Sequence, residues 1–207
     1  MDKMNTISPI NLMDRTVTAG AGAITQNIQR AARDADLFYP VDFASSGSSQ
    51  IGGNIATNAG GINVIRYGMT REWVAGLTVV TGKGEVLELN KGLMKNNTGL
   101  DFRHLFIGSE GILGFITEAT LKLTAPPKDP TVLVLGLSDM SAIMAVLDRI
   151  QSTTPLLAYE FFSELAVSKV VDHAGVARAF ETRTPFYALV EFERENYMTD
   201  AHVFDAV

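Results

Sequence analysis

Four glycines fall within the eleven residues from Ile51 to Gly61, inside the stretch SQIGGNIATNAGGINVIRYG that runs from Ser49 to Gly68. Glycine admits positive φ and, with no Cβ, lets a second backbone or a ligand come close. Free N–H groups in such a segment make concave nests that bind anions. The two glycine pairs are joined by amide and hydroxyl side chains and one isoleucine. That composition fits a cradle for a phosphate or a flat ring system, and it equally fits a tight loop between a coil and a sheet.

Spacing tests the known phosphate loops. A P-loop needs Lys followed by Ser or Thr after its second glycine, and none follows Gly61. A dinucleotide fingerprint is the other contender, at GAGAIT from Gly20 to Thr25, after a candidate strand and before a candidate helix. Its third glycine position holds Thr25, whose branched side chain opposes close helix–strand packing. The following LFYPVD is short and contains a proline, so an NAD-binding Rossmann site is the weaker reading. His104, His173 and His202 lie far apart, which disfavours a histidine metal cluster made by this chain.

The chain has 207 residues, 46% hydrophobic and 19% charged, with a net charge of -6. Such a composition supports a sizeable core and argues against disorder. No basic cluster is present to draw nucleic acid or an anionic membrane. There are no cysteines, so disulfides and thiolate metal sites are excluded, and a cytoplasmic location is expected. No run of eighteen apolar residues spans a membrane, and the first residues lack a signal-peptide core.

These residues need elements to position them. RTVT, 15–18, reads as a strand, and AGAITQNIQRAARDADL places Ile24, Ile28, Ala31, Ala32 and Ala35 on one helical stripe. AGLTVVTGKGEVLEL reads as a hairpin turning through Gly82-Lys83-Gly84. DFRHLF is a helical turn with Phe102, Leu105 and Phe106 on one side, and EATLKLTAPP alternates as a half-buried strand. APPKDP, 125–130, is the candidate linker. Beyond it come a strand at 131–137, a helix capped by Ser138, a strand at 156–161, a helix stopped by Gly175, and a strand at 185–193. MTDAHVFDAV ends the chain with a helix barely begun.

LFYPVDFASSGSSQIGGNIATNAGGINVIRYG, KNNTGLDFRHLFIGSEGILGFITEATLKL and YEFFSELAV, in this order, resemble the FAD-linked oxidases with a vanillyl-alcohol-oxidase-type FAD-binding domain. The branch is that of the D-lactate, glycolate and D-2-hydroxyglutarate dehydrogenases. The resemblance implies an α+β fold: a partial FAD-binding domain over 1–126, its second subdomain about 44–126, then the N-terminal part of an α+β substrate or cap domain over 127–207. It implies FAD as cofactor, with Gly52, Gly53, Gly60 and Gly61 giving close approach. Ala56, Thr57 and Asn58 would supply small or hydrogen-bonding contacts, and Pro40 and Ser48 would line the flavin just before them. Gly111, Gly114 and Ile116 match the segment that closes on the ring system. Gln50 departs from the Thr or Ser usual in the family.

The family's upstream pyrophosphate loop has no counterpart in the fourteen residues before Arg15, and no HxGDGNxH motif surrounds any histidine. The expectation is therefore an internal fragment, with weak or no FAD binding and no turnover of its own. In the whole protein the resemblance implies oxidation of a D-2-hydroxy acid to the 2-oxo acid, with electrons leaving to a separate acceptor. The catalytic residues stay unassigned and no metal ligand is expected here. Arg66 and Arg71 are candidates for an anionic substrate, and Glu110 for orienting the loop at Gly111. A non-catalytic flavin-binding subunit or assembly module is the alternative. Apolar faces left uncovered in a fragment would favour a homo-oligomer.

Overall fold

A computed structural model of the chain describes residues 3–194, and the helix start read near 198–207, with His202, lies outside them. The chain divides into two compact units between Pro126 and Pro127.

Unit 1 is built on a four-stranded antiparallel sheet with order β1-β4-β2-β3. Its strands are β1 (Thr16–Gly20), β2 (Val74–Val80), β3 (Val86–Leu89) and β4 (Phe115–Lys122). Val17 faces Leu121 and Ala19 faces Ala119, while Leu77 and Val79 face Ala119 and Ile116. Since side chains alternate across a strand, these seven residues share one buried face. The other face is polar: the Thr18 and Thr120 hydroxyls share a 3.0 Å hydrogen bond, and the Thr117 hydroxyl donates to the Thr78 carbonyl. The sheet recruits β1 from before residue 44. Antiparallel pairing of β1 also excludes the parallel crossover that a dinucleotide fold requires.

Two helices share the apolar core of the sheet. Helix α1 (Thr25–Arg33) buries Ile28 and Ala32, as its stripe predicts, and stops at the turn where Asp36 takes φ 54°. The second, α2 (Ile51–Ala56), is the glycine stretch itself. It buries Ile51 and Ile55, and full burial of side chains this size contributes roughly 1.5–3 kcal/mol each. The β2–β3 hairpin turns where expected, Gly84 supplying φ 81°. Short turns α3 (Val64–Tyr67), α4 (Thr70–Trp73) and α5 (Arg103–Phe106) complete the unit. Of the apolar side read for DFRHLF only Phe106 is buried; Phe102 and Leu105 are exposed.

Unit 2 is an antiparallel sheet of order β5-β7-β6, made of β5 (Pro130–Leu137), β6 (Leu156–Ser163) and β7 (Phe186–Glu193). Helix α6 (Met140–Thr153) packs Ile143, Val146 and Ile150 into one core with Ala188, Val190 and Phe192. Its cap is Asp139 rather than Ser138: the Asp139 carboxylate accepts from the Ala142 N–H at 3.0 Å, while the Ser138 hydroxyl donates to Asp139. A carboxylate outdoes a hydroxyl at this position because it carries full charge beside unpaired N–H groups. Helix α7 (Glu164–Ala174) ends at Gly175 in the left-handed conformation and buries none of its residues. Glu164 accepts from Arg178 (2.9 and 3.1 Å), the Ser168 hydroxyl (2.9 Å) and the Tyr187 hydroxyl (2.8 Å). Those donors, Arg178 and Tyr187 foremost, hold its carboxyl down at about 2.

Candidate functional site

The glycine stretch is a short helix, not an open loop. Three of the N–H groups in its first turn are engaged within the chain: Ile51 N–H donates to the Ala23 carbonyl, Gly52 N–H to Ala21, and Asn54 N–H to Gln50. A buried polar contact fixes the helix laterally. The Asn54 side chain (6% exposed) donates to the Thr25 hydroxyl at 2.6 Å, and that hydroxyl lies 2.8 Å from the Ser49 hydroxyl. Gln50 stands at the N-cap and makes no side-chain cap.

The four glycines answer to different needs. A Cβ on Gly52 would lie 2.6 Å from the Ala21 Cβ and 3.0 Å from its carbonyl oxygen, so Gly52 lets α2 seat against the end of β1. A Cβ on Gly61 would fall on the Asp42 carbonyl, the group that also accepts from Ile62 N–H. At Gly60 a Cβ would come 3.1 Å from Val64. Gly53 is different. It is exposed, helical, and a Cβ there would meet nothing within 4 Å. No neighbour in the described chain requires that position to be bare.

Pro40 is buried, and its carbonyl accepts from the Asn63 side chain at 3.0 Å, while Gln29 holds both the Val41 carbonyl and the Asp42 carboxylate at 3.0 Å. Residues 40–42 are thus joined to 61–63. Ser48 is exposed and turned back on the Ser45 carbonyl. Ala56 and Thr57 end α2, and the Thr57 hydroxyl donates to the Gly53 carbonyl at 3.1 Å. Asn58 takes φ 49° just past the helix, as a residue terminating a helix in the left-handed region does. Its side-chain oxygen accepts from Arg71 N–H at 2.9 Å.

The later segment docks on the same helix end. Gly108 N–H donates to the Ile55 carbonyl at 3.0 Å and Glu110 N–H to the Ala56 carbonyl at 2.8 Å. Glu110 therefore closes the C-terminus of α2 through its backbone, at φ 51°. Gly111 has φ 82° with open space where a Cβ would lie. Gly114 is confined by the Val80 carbonyl and Val79, and Ile116 buries its side chain beside Val79. Between them Ile112 is 83% exposed, and Leu113 and Phe115 are about half exposed. Arg71 donates to the carbonyls of His104 (2.9 Å) and Ile107 (2.6 Å) and to His104 Nδ1 (3.0 Å), so its guanidinium works as a brace. Arg66 is exposed on α3.

Sequence reading passed over Ala21, Asn54 and Gly108, although all three shape this surface. Gly108 carried a signal in its own type: φ is 83° and a Cβ there would press on Asn58 at 3.3 Å. Among the described residues no group of three or more His, Asp or Glu could hold a metal ion, and no helix is long and apolar enough to cross a membrane.

Two exposed glycines thus stand bare, Gly53 on α2 and Gly111 on the segment docked at the end of that helix, the latter next to the uncovered Ile112 and Leu113. The whole fold recurs in solved structures of alkyldihydroxyacetonephosphate synthase, with TM-scores of 0.76 and 0.78 at 21% and 20% identity, over all of this chain and about 40% of those. Residues 1–90 match the family model described as FAD binding domain, and residues 126–205 match that of FAD linked oxidases, C-terminal domain. Together the two models span most of the chain, and the cofactor they imply is FAD. Among the chain's relatives a D-2-hydroxyglutarate dehydrogenase of Stutzerimonas stutzeri is 59% identical over 93% of this chain and 41% of its own length. The glycolate oxidase subunit GlcD of Bacillus subtilis is 37% identical over 84% of this chain and 37% of its own. The mitochondrial D-2-hydroxyglutarate dehydrogenase of Danio rerio is 34% identical over 95% and 37%. The chain spans about 40% of the length of the D-2-hydroxyglutarate dehydrogenases it matches in bacteria.

Proposed function

We propose that this chain supplies part of the flavin-facing wall and the opening of the substrate cap in an FAD-dependent dehydrogenase of D-2-hydroxy acids. Residues 1–126 are then a partial FAD-binding domain and 127–207 the start of the cap. The observation that carries the reading is Gly53, an exposed helical glycine that nothing in the described chain requires. An exposed helix-interior glycine costs about 0.5–1 kcal/mol relative to alanine, so bareness here is explained by something that must lie against it. Gly111 and the uncovered Ile112 and Leu113 lie on the segment docked at the end of α2 and suit an aromatic ring system.

In this reading the exposed side of α2, at Gly53, Ala56 and Thr57, holds the cofactor by close contact, and Ser48 stands at the start of that face. Gly52, Gly60, Gly61, Asn58 and Pro40 act one step back, fixing the shape of α2 and the crossing of 40–42 with 61–63. Gly114 and Ile116 anchor the segment that carries Gly111. FAD held at this face would supply the redox chemistry of the reaction. What these residues do is position and exclude: a flat surface without side chains orients the ring, and Ile112 and Leu113 keep water from it. The hydroxy acid and the separate electron acceptor follow from the family reading, while a cytoplasmic location rests on the lack of cysteines and self-association on uncovered apolar faces.

The test is cofactor uptake in the whole polypeptide, followed by flavin absorbance and by unfolding. Gly53→Val is expected to weaken FAD retention at least about tenfold, the scale of one displaced contact, with the fold intact. Unchanged retention would sink this assignment of α2. The 207-residue chain by itself is expected to take up FAD weakly, and stoichiometric tight uptake would show that the surface described here suffices alone.

A further inference from the structure

A groove of about 160 Å³ opens on unit 1 between the start of β2, the segment after β3, and α5. It is lined by Arg71, Arg103, His104 and Lys122, with Glu72 as the one carboxylate in the lining. The protein as a whole carries -6, so cations gathered here run against the average. Arg103 is neutralised by Asp101 at its edge. Arg71 hydrogen-bonds only carbonyls and an imidazole, which leave its charge uncompensated. Glu72 is held by the Met69 N–H at 2.8 Å.

Lys122 is the unusual member. Its side chain is partly buried in β4, yet it has no hydrogen-bond or ion-pair partner among the described residues. Burial first, then the nearby Arg103, lower its pKa, and Glu72 only partly opposes them. The partly buried side chain brings to the groove a charged donor with no acceptor among the described residues, and an anion there would supply one. Leu93 and Met94, both more than half exposed, form an apolar wall on the same groove.

We propose that this groove binds a small oxyanion, a carboxylate or a phosphate, with the Lys122 ammonium as its ionic contact and the Arg71 charge behind it. The shape suits an anion of a few heavy atoms with its carbon or ester side against Leu93 and Met94. The proposal does not depend on FAD or on the dehydrogenase reading, because none of the groove residues belongs to the α2 face.

The experiment is an amide NMR titration of the 207-residue chain with inorganic phosphate and, separately, malonate, against sodium chloride at matched ionic strength. Saturable shifts at Val74, Ala75 and Leu93 are expected. Phosphate alone, malonate alone, or both supports an oxyanion site and tells its source. Lys122→Met and Lys122→Gln should each weaken binding about tenfold, the scale of one charge-assisted hydrogen bond. Lys83→Met, the same charge change on an exposed turn, should leave it unaltered. In the wild type, anion binding should raise the titration midpoint of the Lys122 Nζ resonance, a readout that needs no variant. Shifts that follow ionic strength alone, an unmoved Lys122 midpoint, or equal affinity in the Lys122 variants would overturn the proposal.

Discussion

Alanine at Gly52 and alanine at Gly53 differ by one position in one helix and should move stability in opposite directions. At Gly53 the added Cβ meets nothing within 4 Å, so only the backbone term acts. Glycine to alanine in an exposed helix interior stabilises by about 0.5–1 kcal/mol. For a chain of this size that raises the melting temperature by roughly 1–4 °C. At Gly52 the same propensity gain is present, but the Cβ would sit 2.6 Å from the Ala21 Cβ and 3.2 Å from its Cα. Carbon atoms prefer about 3.5–4.0 Å, and forced overpacking of this kind costs about 1–3 kcal/mol. The net expectation is a loss of about 1–2 kcal/mol, because the obstacle is backbone and cannot rotate away. Urea unfolding of wild type and both variants, followed by circular dichroism, measures the difference directly. A Gly52→Ala protein as stable as wild type would refute the packing account of that glycine. A Gly53→Ala protein less stable than wild type would mean that the chain itself needs the bare position, and the case for a bound ring at α2 would fail with it.

Tyr39 is 1% exposed and its hydroxyl has no hydrogen-bond partner among the described residues; burial raises its pKa. Tyr39→Phe is expected to be neutral or to stabilise unit 1 by about 1 kcal/mol, since an unsatisfied buried polar group costs about 1–3 kcal/mol; clear destabilisation in urea would reveal an acceptor. In unit 2, the Glu164 carboxyl is held at about 2 by Arg178 and Tyr187. A lowered folded-state value stabilises the protein above the ordinary carboxyl pKa, about 4.3. That contribution fades as pH falls toward 2. Thermal unfolding at stepped pH should therefore show a larger acid-induced loss in wild type than in Glu164→Gln, and identical slopes would remove Glu164 from the explanation.

The regular elements were legible where periodicity ran long enough. The stripe of Ile143, Val146 and Ile150 marked α6, and Gly82-Lys83-Gly84 marked the hairpin. The glycine stretch misled because a helix of six residues shows no period and glycine disfavours helix; α2 forms through its docking to Ala21, Ala23 and Thr25. Those partners lie some thirty residues away, beyond the reach of any local pattern. The same limit hid the reasons for individual site residues. That Gly61 clears the Asp42 carbonyl, or that Arg71 braces His104 and Ile107, is decided by tertiary neighbours. What the sequence did carry was the type of residue: small at the crossings, left-handed at Asn58 and Gly108.

Strand β4 is last in the order of synthesis within its sheet, yet it lies between β1 and β2. Until Phe115–Lys122 leaves the ribosome, β1 and the β2–β3 hairpin have no common partner, and nascent chains must wait about a hundred residues for β1 to be paired. Such long-range closure is slow and leaves strand edges open to other chains meanwhile. A premature stop before residue 115 would thus leave β1 and the β2–β3 hairpin without their shared partner and their edges open.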